Sequence, residues 1–218
     1  MTSSTDAHLW RKTCAARAAL ASDLTYLDEQ QGHTQSLCAG WDIEQVVAHL
    51  TAAASLGRLR WIRSIIGAGF RPSVHNDRRL REQLGATPAN TLERFQGVID
   101  STTAPSKDTA AYLGEVLVHS QDIRAPLGIE TQTDIDALTH VAHFFARRNF
   151  TVPSKSLARG LRLQATDGPF EFGDGPSVVG STLALVMMMA GRDVYLDQLD
   201  GSGRSIVVKR LDPAATAR

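Results

Sequence analysis

Glu115 and His119 stand four residues apart in a segment that is predicted to be helical, so their side chains lie on one helical face. A carboxylate and an imidazole that point the same way can bind one divalent metal ion. A further histidine, His49, lies far upstream in Trp41-Asp-Ile-Glu-Gln-Val-Val-Ala-His-Leu50, a second predicted helix that could pack against the first. Two histidines and one glutamate would form a zinc site with three protein ligands and one open position.

The surroundings of this pair are apolar, and this bears on whether it binds a metal. A buried carboxylate without a partner costs free energy, and a cation would serve as that partner. The helix is expected to be largely buried because of its neighbouring residues Leu113, Val116, Leu117 and Val118. The alternative is a hydrogen-bonded or solvated pair without metal, since this spacing is common. His49 also falls on the apolar face of its helix, where a single histidine is more often a core residue.

Two charged residues that follow His119 are candidates for supporting roles. Asp122 lies one helical turn beyond His119 and could orient that imidazole by accepting a hydrogen bond, or it could simply be a charge in the last turn of the helix. Arg124 could pair with a substrate carboxylate, because a guanidinium fits that geometry. It could equally bridge to Asp122 or cap helical carbonyl groups.

The elements that must position these residues are mainly helices. Apolar periodicity and N-cap signals predict helices over residues 6–30, 42–67, 87–101, 108–124 and 134–149, with Asp42, Thr87 and Asp108 as N-caps. The fourth helix is expected to stop near Arg124 because Pro126 disfavours helical geometry in the residue before it. Residues 67–85 are expected to form an extended connection or lid, which could include a short helix. The sequence therefore predicts a four-helix bundle over residues 1–150, with a fifth helix that could join it at the end of this domain.

The last third of the chain changes character after a linker at residues 152–156. Residues 161–166 and 170–172 alternate like strands around an Asp167-Gly168 hairpin signal. Residues 179–190 are expected to form a buried apolar helix, and Ile206-Val-Val208 is expected to form a last strand. The sequence thus predicts an α+β fold in two domains, with a small α+β domain at residues 157–212.

Charge and composition exclude several classes of protein. Lys plus Arg equals Asp plus Glu at 23 each, without a basic run, so neither nucleic acid nor an anionic membrane is an expected partner. The start of the chain lacks the features of a signal peptide, and no stretch approaches the roughly 18 apolar residues of a membrane span. A cytoplasmic protein, monomeric or homodimeric, is expected. Cys14 and Cys38 are read as two thiols without metal-binding spacing.

Several segments resemble a known family when they are taken together. Leu37-Cys-Ala-Gly-Trp-Asp-Ile-Glu-Gln-Val-Val-Ala-His-Leu50 is similar to the N-terminal signature of the mycothiol-dependent maleylpyruvate isomerase family, which belongs to the DinB-like helical bundles. Gly114-Glu-Val-Leu-Val-His-Ser-Gln-Asp-Ile-Arg-Ala-Pro-Leu-Gly128 agrees in order and spacing, as do Gly160-Leu-Arg-Leu-Gln-Ala-Thr-Asp167 and the glycine motifs around Gly173 and Gly201. The resemblance covers nearly the whole chain.

The resemblance implies a function and a set of ligands. By it, His49, Glu115 and His119 match the family's divalent-metal ligands, usually zinc, and the thiol of mycothiol would occupy the open position as a thiolate. That nucleophile would add to a small electrophilic substrate, with either cis-trans isomerisation or S-transfer as the outcome. Zinc-bound water acting in a hydrolase is an alternative. A non-catalytic bundle that uses its metal for structure, sensing or ligand binding is another.

Overall fold

The computed structural model describes residues 4–57 and 72–212, and its contacts divide the chain into one unit that ends at Thr131 and a second that begins at Gln132. The described part of the first unit is helical. Its helices are α1 (Ser4–Leu24), α2 (Glu29–Gly32), α3 (Ile43–Ser55), α4 (Pro72–Gln83), α5 (Pro88–Gln96) and α6 (Thr109–Leu127).

A hydrophobic core joins α1, α3, α5 and α6 in a bundle. Each of the four helices contributes residues that are at most 4% exposed, which are Leu20, Ala21, Leu24, Ile43, Val46, Val47, Leu50, Phe95, Val116 and Ile123. In α1 and α3 these residues recur at intervals of three or four, and the two in α6 are seven apart, so they form the apolar stripe that a bundle buries. The predicted combination of a helical bundle with a small α+β unit is confirmed.

The helix starts follow the cap signals in the sequence. Asp42 accepts from Gln45 N while the Gln45 side chain accepts from Asp42 N, so a capping box begins α3. Thr87 caps α5, which has Pro88 in its first turn. The predicted first helix, by contrast, is two helices, because α1 ends at Leu24 and Asp28 caps the separate helix α2.

Two expectations about the first unit were wrong. The region expected to be an extended connection contains the 12-residue helix α4, whose sequence is strongly polar and therefore lacks the apolar periodicity that predicts helices. Residues 67–71 of that prediction, and the predicted end of the second helix, lie outside the described residues. Helix α6 also does not stop near Arg124 but runs through Pro126 to Leu127, and Gly128 ends it in the left-handed conformation at a φ of 65°.

The second unit packs a short sheet and helices around a core rich in methionine. It contains α7 (Ile135–Arg147), α8 (Ser154–Ala158), β1 (Arg162–Ala165), β2 (Glu171–Phe172), β3 (Ser177–Gly180), α9 (Thr182–Met189), a 3₁₀ helix (Asp193–Gln198) and α10 (Arg204–Leu211). The sheet order is β2-β1-β3, with β1 antiparallel to β2 and parallel to β3. The predicted hairpin is thus present, and Met187, Met188 and Met189 are fully buried core residues.

The second unit also departs from the sequence predictions. Residues 204–211 form a helix rather than a last strand, with Val207 fully buried and Val208 40% exposed. The predicted apolar helix begins only at Thr182, because the residues before Ser181 form β3. Helix α7 packs on α9 within the second unit, and the domain boundary near residue 150 stays a prediction. Among the described residues, no helix is long and apolar enough to cross a membrane.

Candidate metal centre

Helices α3 and α6 bring three potential metal ligands together. His49 Nε2 lies 3.1 Å from Glu115 Oε1, and the ring centroids of His49 and His119 are 5.0 Å apart. One ligand atom from each of these three residues lies within 4.8 Å of the other two. The structure therefore places the three predicted ligands, from two helices separated by more than 50 residues, around one point.

The protonation states of these groups suit a metal ligand set. Burial raises the pKa of Glu115, but the hydrogen bond from His49 and the charges of His49, His119 and Arg17 outweigh burial, so the net pKa is lowered. Burial lowers the pKa of His119, and nearby His49 lowers it further against the opposing effect of Asp122. At neutral pH the site thus offers a carboxylate together with a neutral imidazole at His119, which are the forms that bind metals.

The cluster is partly open on one side. The side chains of His49, His119 and Glu115 are 10%, 17% and 28% exposed. The indole of Trp41 covers part of it, with its ring centroid 5.0 Å from that of His49. A small molecule could therefore reach the cluster without unfolding either helix.

Asp122 lies behind His119, away from solvent. Its side chain is fully buried, and Asp122 Oδ2 is 2.9 Å from His119 Nδ1. An ionised Asp122 can only accept, so His119 Nδ1 carries the proton and Nε2 keeps its lone pair for a metal. This is the orienting contact that the spacing predicted, and its functional role stays a prediction.

Arg124 lies on another face of α6. Its guanidinium pairs with Asp23 on α1, with the Arg124 Nη2 to Asp23 Oδ2 distance at 2.6 Å and the Nε to Oδ2 distance at 2.7 Å. Arg124 is only 5% exposed. Its predicted role in binding a substrate carboxylate is not tested by this geometry, but the pair with Asp23 favours a structural role that ties α6 to α1.

Two neighbours of the cluster were not among the predicted site residues. Cys38 Sγ lies 3.1 Å from Asp122 Oδ2 and 3.5 Å from His119 Nδ1. Arg17, 3% exposed on α1, donates to Ser101 O at 2.7 Å and exerts its charge on Glu115. A sequence signal exists for each of them. Arg17 is a cation within the apolar stripe of α1, and Cys38 stands three residues before Trp41, at the start of the segment that carries His49.

Trp41, which contacts His49, also lines a cleft of about 610 Å³. The cleft lies between the start of α3 and helix α4, and it is lined by Ala39, Gly40, Trp41, Gln45, Asn76, Asp77, Leu80 and Arg81. One aromatic ring with polar and charged groups around it suits a polar small molecule better than an apolar one.

The donor set fits a borderline divalent ion. Two imidazoles and one carboxylate, with a partly open side, are the ligands of zinc sites that keep a position for water or substrate. Asp122 adds the carboxylate partner that commonly orients a metal-binding imidazole. The fold and the cluster together thus define a helical-bundle protein with a candidate three-ligand metal centre.

Part of this bundle matches a known family model. Residues 14–111 match the model of the mycothiol maleylpyruvate isomerase N-terminal domain. The resemblance inferred from the sequence motifs is therefore confirmed. The matched region contains His49 but ends before Glu115 and His119. Among curated proteins, no match to the chain is found.

Solved structures show the same fold over most of the chain. A crystal structure of the mycothiol-dependent maleylpyruvate isomerase is similar with a TM-score of 0.61 at 16% identity, covering 90% of this chain and 92% of the other. A histidine-to-alanine mutant of the mycothiol-dependent maleylpyruvate isomerase gives a TM-score of 0.62 with the same identity and coverage. The similarity extends beyond the matched N-terminal domain, so the fold is shared over most of the chain.

Proposed function

We propose that this protein is a metal- and thiol-dependent enzyme of the maleylpyruvate isomerase type, with zinc as its metal and mycothiol as its thiol co-substrate. The observation that carries the proposal is the cluster of His49, Glu115 and His119 within a bundle that partly matches this family's model. The relatives with similar folds are described as mycothiol-dependent isomerases, which supports the thiol as the second component.

The residues of the chain have distinct roles in this proposal. His49, Glu115 and His119 would hold the ion, and Asp122 would keep His119 Nδ1 protonated so that Nε2 is available. A divalent ion bound there lowers the pKa of a thiol or a water molecule that joins it. The apolar residues packed behind the ligands, among them Val46 and Val116, limit the access of water from the bundle interior.

The reaction class follows from the chemistry of a thiol nucleophile. A thiolate adds to the double bond of an unsaturated carbonyl substrate, and the former double bond can then rotate. Elimination of the thiolate returns the trans isomer and regenerates the thiol, whereas retention of the sulfur yields an S-conjugate. The metal centre serves both outcomes, so isomerisation and S-transfer are both within the proposal.

We place the co-substrate or the electrophile in the cleft beside Trp41. Trp41 lines the cleft and its ring also contacts His49, while the α4 side of the cleft carries Asp77 and Arg81. These groups could bind a polar or charged portion of the ligand while its reactive end lies near His49. A cytoplasmic location and a monomeric or homodimeric state remain predictions from the sequence.

The deciding experiment is turnover of maleylpyruvate and of a panel of electrophiles by zinc-loaded protein, with and without mycothiol. The proposal predicts turnover of at least one electrophile that requires both components. If zinc-loaded protein neither binds mycothiol by calorimetry nor turns over any electrophile with it, the non-catalytic alternative replaces the enzyme.

A further inference from the structure

The loop that precedes α3, residues 34–41, is hydrogen-bonded to Asp122 of α6 through both a main-chain and a side-chain group. Leu37 N donates to the carbonyl oxygen of Asp122 at 3.0 Å, and Cys38 Sγ donates to Asp122 Oδ2 at 3.1 Å. Both the main chain and the side chain of Asp122 thus accept hydrogen bonds from this loop. The same residue accepts from His119 through its side chain.

Pro126 explains why the carbonyl oxygen of Asp122 can accept from the loop. In an α-helix this oxygen would accept from the N–H group four residues later, but position 126 is proline and has none. The helix continues to Leu127, and Leu37 N supplies the missing donor. The proline that was expected to end the helix therefore provides the docking point for the loop.

The loop itself is held in one shape by internal hydrogen bonds. Ser36 Oγ donates to Trp41 O at 2.7 Å, and Ser36 N donates to the same oxygen at 3.1 Å. Cys38 N donates to Ser36 Oγ at 3.1 Å. The Cys38 thiol is therefore presented to Asp122 by a fixed turn. That turn also carries Trp41, which contacts His49, so one loop touches both candidate histidine ligands.

We propose that Cys38 is a positioning residue, which acts through Asp122 to fix the orientation and the tautomer of His119. The thiol donates to the buried carboxylate, and the carboxylate in turn accepts from His119 Nδ1. Without this donor, Asp122 would lose a partner in a site with no exposure to water and could rotate away from the imidazole. The inference rests on the proposed function, because the residue being positioned is a proposed metal ligand.

A different role for the same atoms must be separated from this one. Cys38 Sγ, His119 Nδ1 and an Asp122 oxygen are close enough to bind a metal themselves, and they form a second group of potential ligands. Serine can replace a thiol as a hydrogen-bond donor but not as a thiolate ligand. The pair of substitutions Cys38→Ala and Cys38→Ser therefore distinguishes positioning from ligation.

The test measures zinc affinity by competition with a chromophoric chelator, and it uses Cys14→Ala and Cys14→Ser as matched controls. Cys14 lies on α1 and is likewise partly buried. We expect Cys38→Ala to weaken zinc binding about tenfold, Cys38→Ser to stay within about threefold of wild type, and both Cys14 variants to be unchanged. In the metal-free protein, nitrogen NMR should show His119 protonated at Nδ1 in wild type and Cys38→Ser but a mixture of tautomers in Cys38→Ala.

Either of two results would overturn the proposal. Unchanged zinc affinity and an unchanged His119 tautomer in Cys38→Ala would show that the thiol does not position His119. A sulfur-to-cadmium charge-transfer band that Cys38→Ser abolishes, together with zinc binding as weak as in Cys38→Ala, would make Cys38 a ligand.

A second variant keeps the test informative if Cys38→Ala does not fold. Pro126→Ala restores an N–H group that competes with Leu37 for the carbonyl oxygen of Asp122, so we expect zinc binding to weaken several-fold. Unchanged zinc binding and an unchanged His119 tautomer in Pro126→Ala would show that the hydrogen bond from Leu37 N to the carbonyl oxygen of Asp122 does not position the loop. If wild type binds no zinc at all, the proposed function fails, while the His119 tautomer of the metal-free protein still decides the role of Cys38.

Discussion

His119 and Glu115 owe their charge states to their immediate neighbours. Burial holds the pKa of His119 below its usual value, and the cationic surroundings of Glu115 keep that carboxylate ionised despite burial. The types and the spacing of these residues could be read from the sequence. The part played by Cys38 could not, because it depends on a loop reaching a residue more than 80 positions away.

Removing one candidate ligand should remove the metal. His49→Ala takes away the Nε2 atom that lies 3.1 Å from Glu115, so we expect zinc content to fall from about one per chain to a small fraction of that value. Elemental analysis after dialysis measures this. His140→Ala, which changes a partly exposed histidine of the second unit, is the control and should retain zinc. Full zinc content in His49→Ala would exclude His49 as a ligand.

The lowered pKa of His119 also predicts a pH dependence of stability in the metal-free protein. Unfolded chains protonate histidine below about pH 6.5, whereas folded His119 does so only at lower pH, so the unfolded state binds more protons in between. The contribution of His119 to stability is therefore complete above about pH 6.5 and is lost as the pH falls through the folded value.

Urea unfolding between about pH 7.5 and pH 5 measures this effect in wild type and in His119→Gln. The stability of wild type should fall more steeply on acidification than that of His119→Gln, by up to about 1.4 kcal/mol per pH unit. Equal slopes in wild type and His119→Gln would contradict the assigned protonation state.

At the level of the elements, the helices that carry the site were the most predictable part of the fold. Helix α3 begins at the predicted capping box, and α6 begins after Asp108 as expected. The end of α6 was not predictable from local sequence, because a partner for the carbonyl oxygen of Asp122 comes from a distant loop. The three β-branched residues before Lys209 indicated a strand, but residues 204–211 form a helix. Helix propensities differ by less than about 1 kcal/mol per residue, so the burial of Val207 can outweigh them.

Helix α4 was foreseen only as an optional short helix within a connection, and it supplies one wall of the proposed ligand cleft. Arg81 lies in that wall, and Arg78 lies one turn away on the same helix but does not line the cleft. If a ligand binds there through a charged or polar contact worth about 1 kcal/mol, Arg81→Ala should raise its dissociation constant about fivefold. Calorimetry with mycothiol and with the electrophile shows which ligand is affected.

Arg78→Ala is the matched control, and its dissociation constants should equal those of wild type. Zinc content should be unchanged in both arginine variants, because neither residue belongs to the candidate ligand set. Equal affinity of wild type and Arg81→Ala for both ligands would show that neither ligand binds in the cleft through Arg81.

On the scale of the whole molecule, the chain combines a helical bundle that carries the candidate metal centre with a small α+β unit. The sequence motifs that resemble the isomerase family lie in both units. The similar isomerase structures match 90% of the chain at only 16% identity. The fold therefore persists although most side chains differ. We expect the choice of substrate to depend on the few residues of the proposed cleft.

Metal binding should stabilise the folded protein as a whole. An ion that binds only the native state adds about 2.7 kcal/mol to the free energy of unfolding at 100 times its dissociation constant. Urea unfolding of wild type with excess zinc or with a chelator should show a difference of this size. The difference should vanish in His49→Ala, and an equal zinc effect in both proteins would place the ion elsewhere.

X-ray absorption at the zinc edge, recorded on the Cys38→Ser protein before and after addition of mycothiol, tests the central claim most directly. In this variant the cysteine beside the cluster is absent, so a sulfur ligand must come from the added thiol. Before mycothiol is added we expect only nitrogen and oxygen ligands, including two imidazoles. After it is added we expect one sulfur ligand at about 2.3 Å from the zinc. A zinc spectrum that does not change with mycothiol would contradict an open, thiol-activating metal centre.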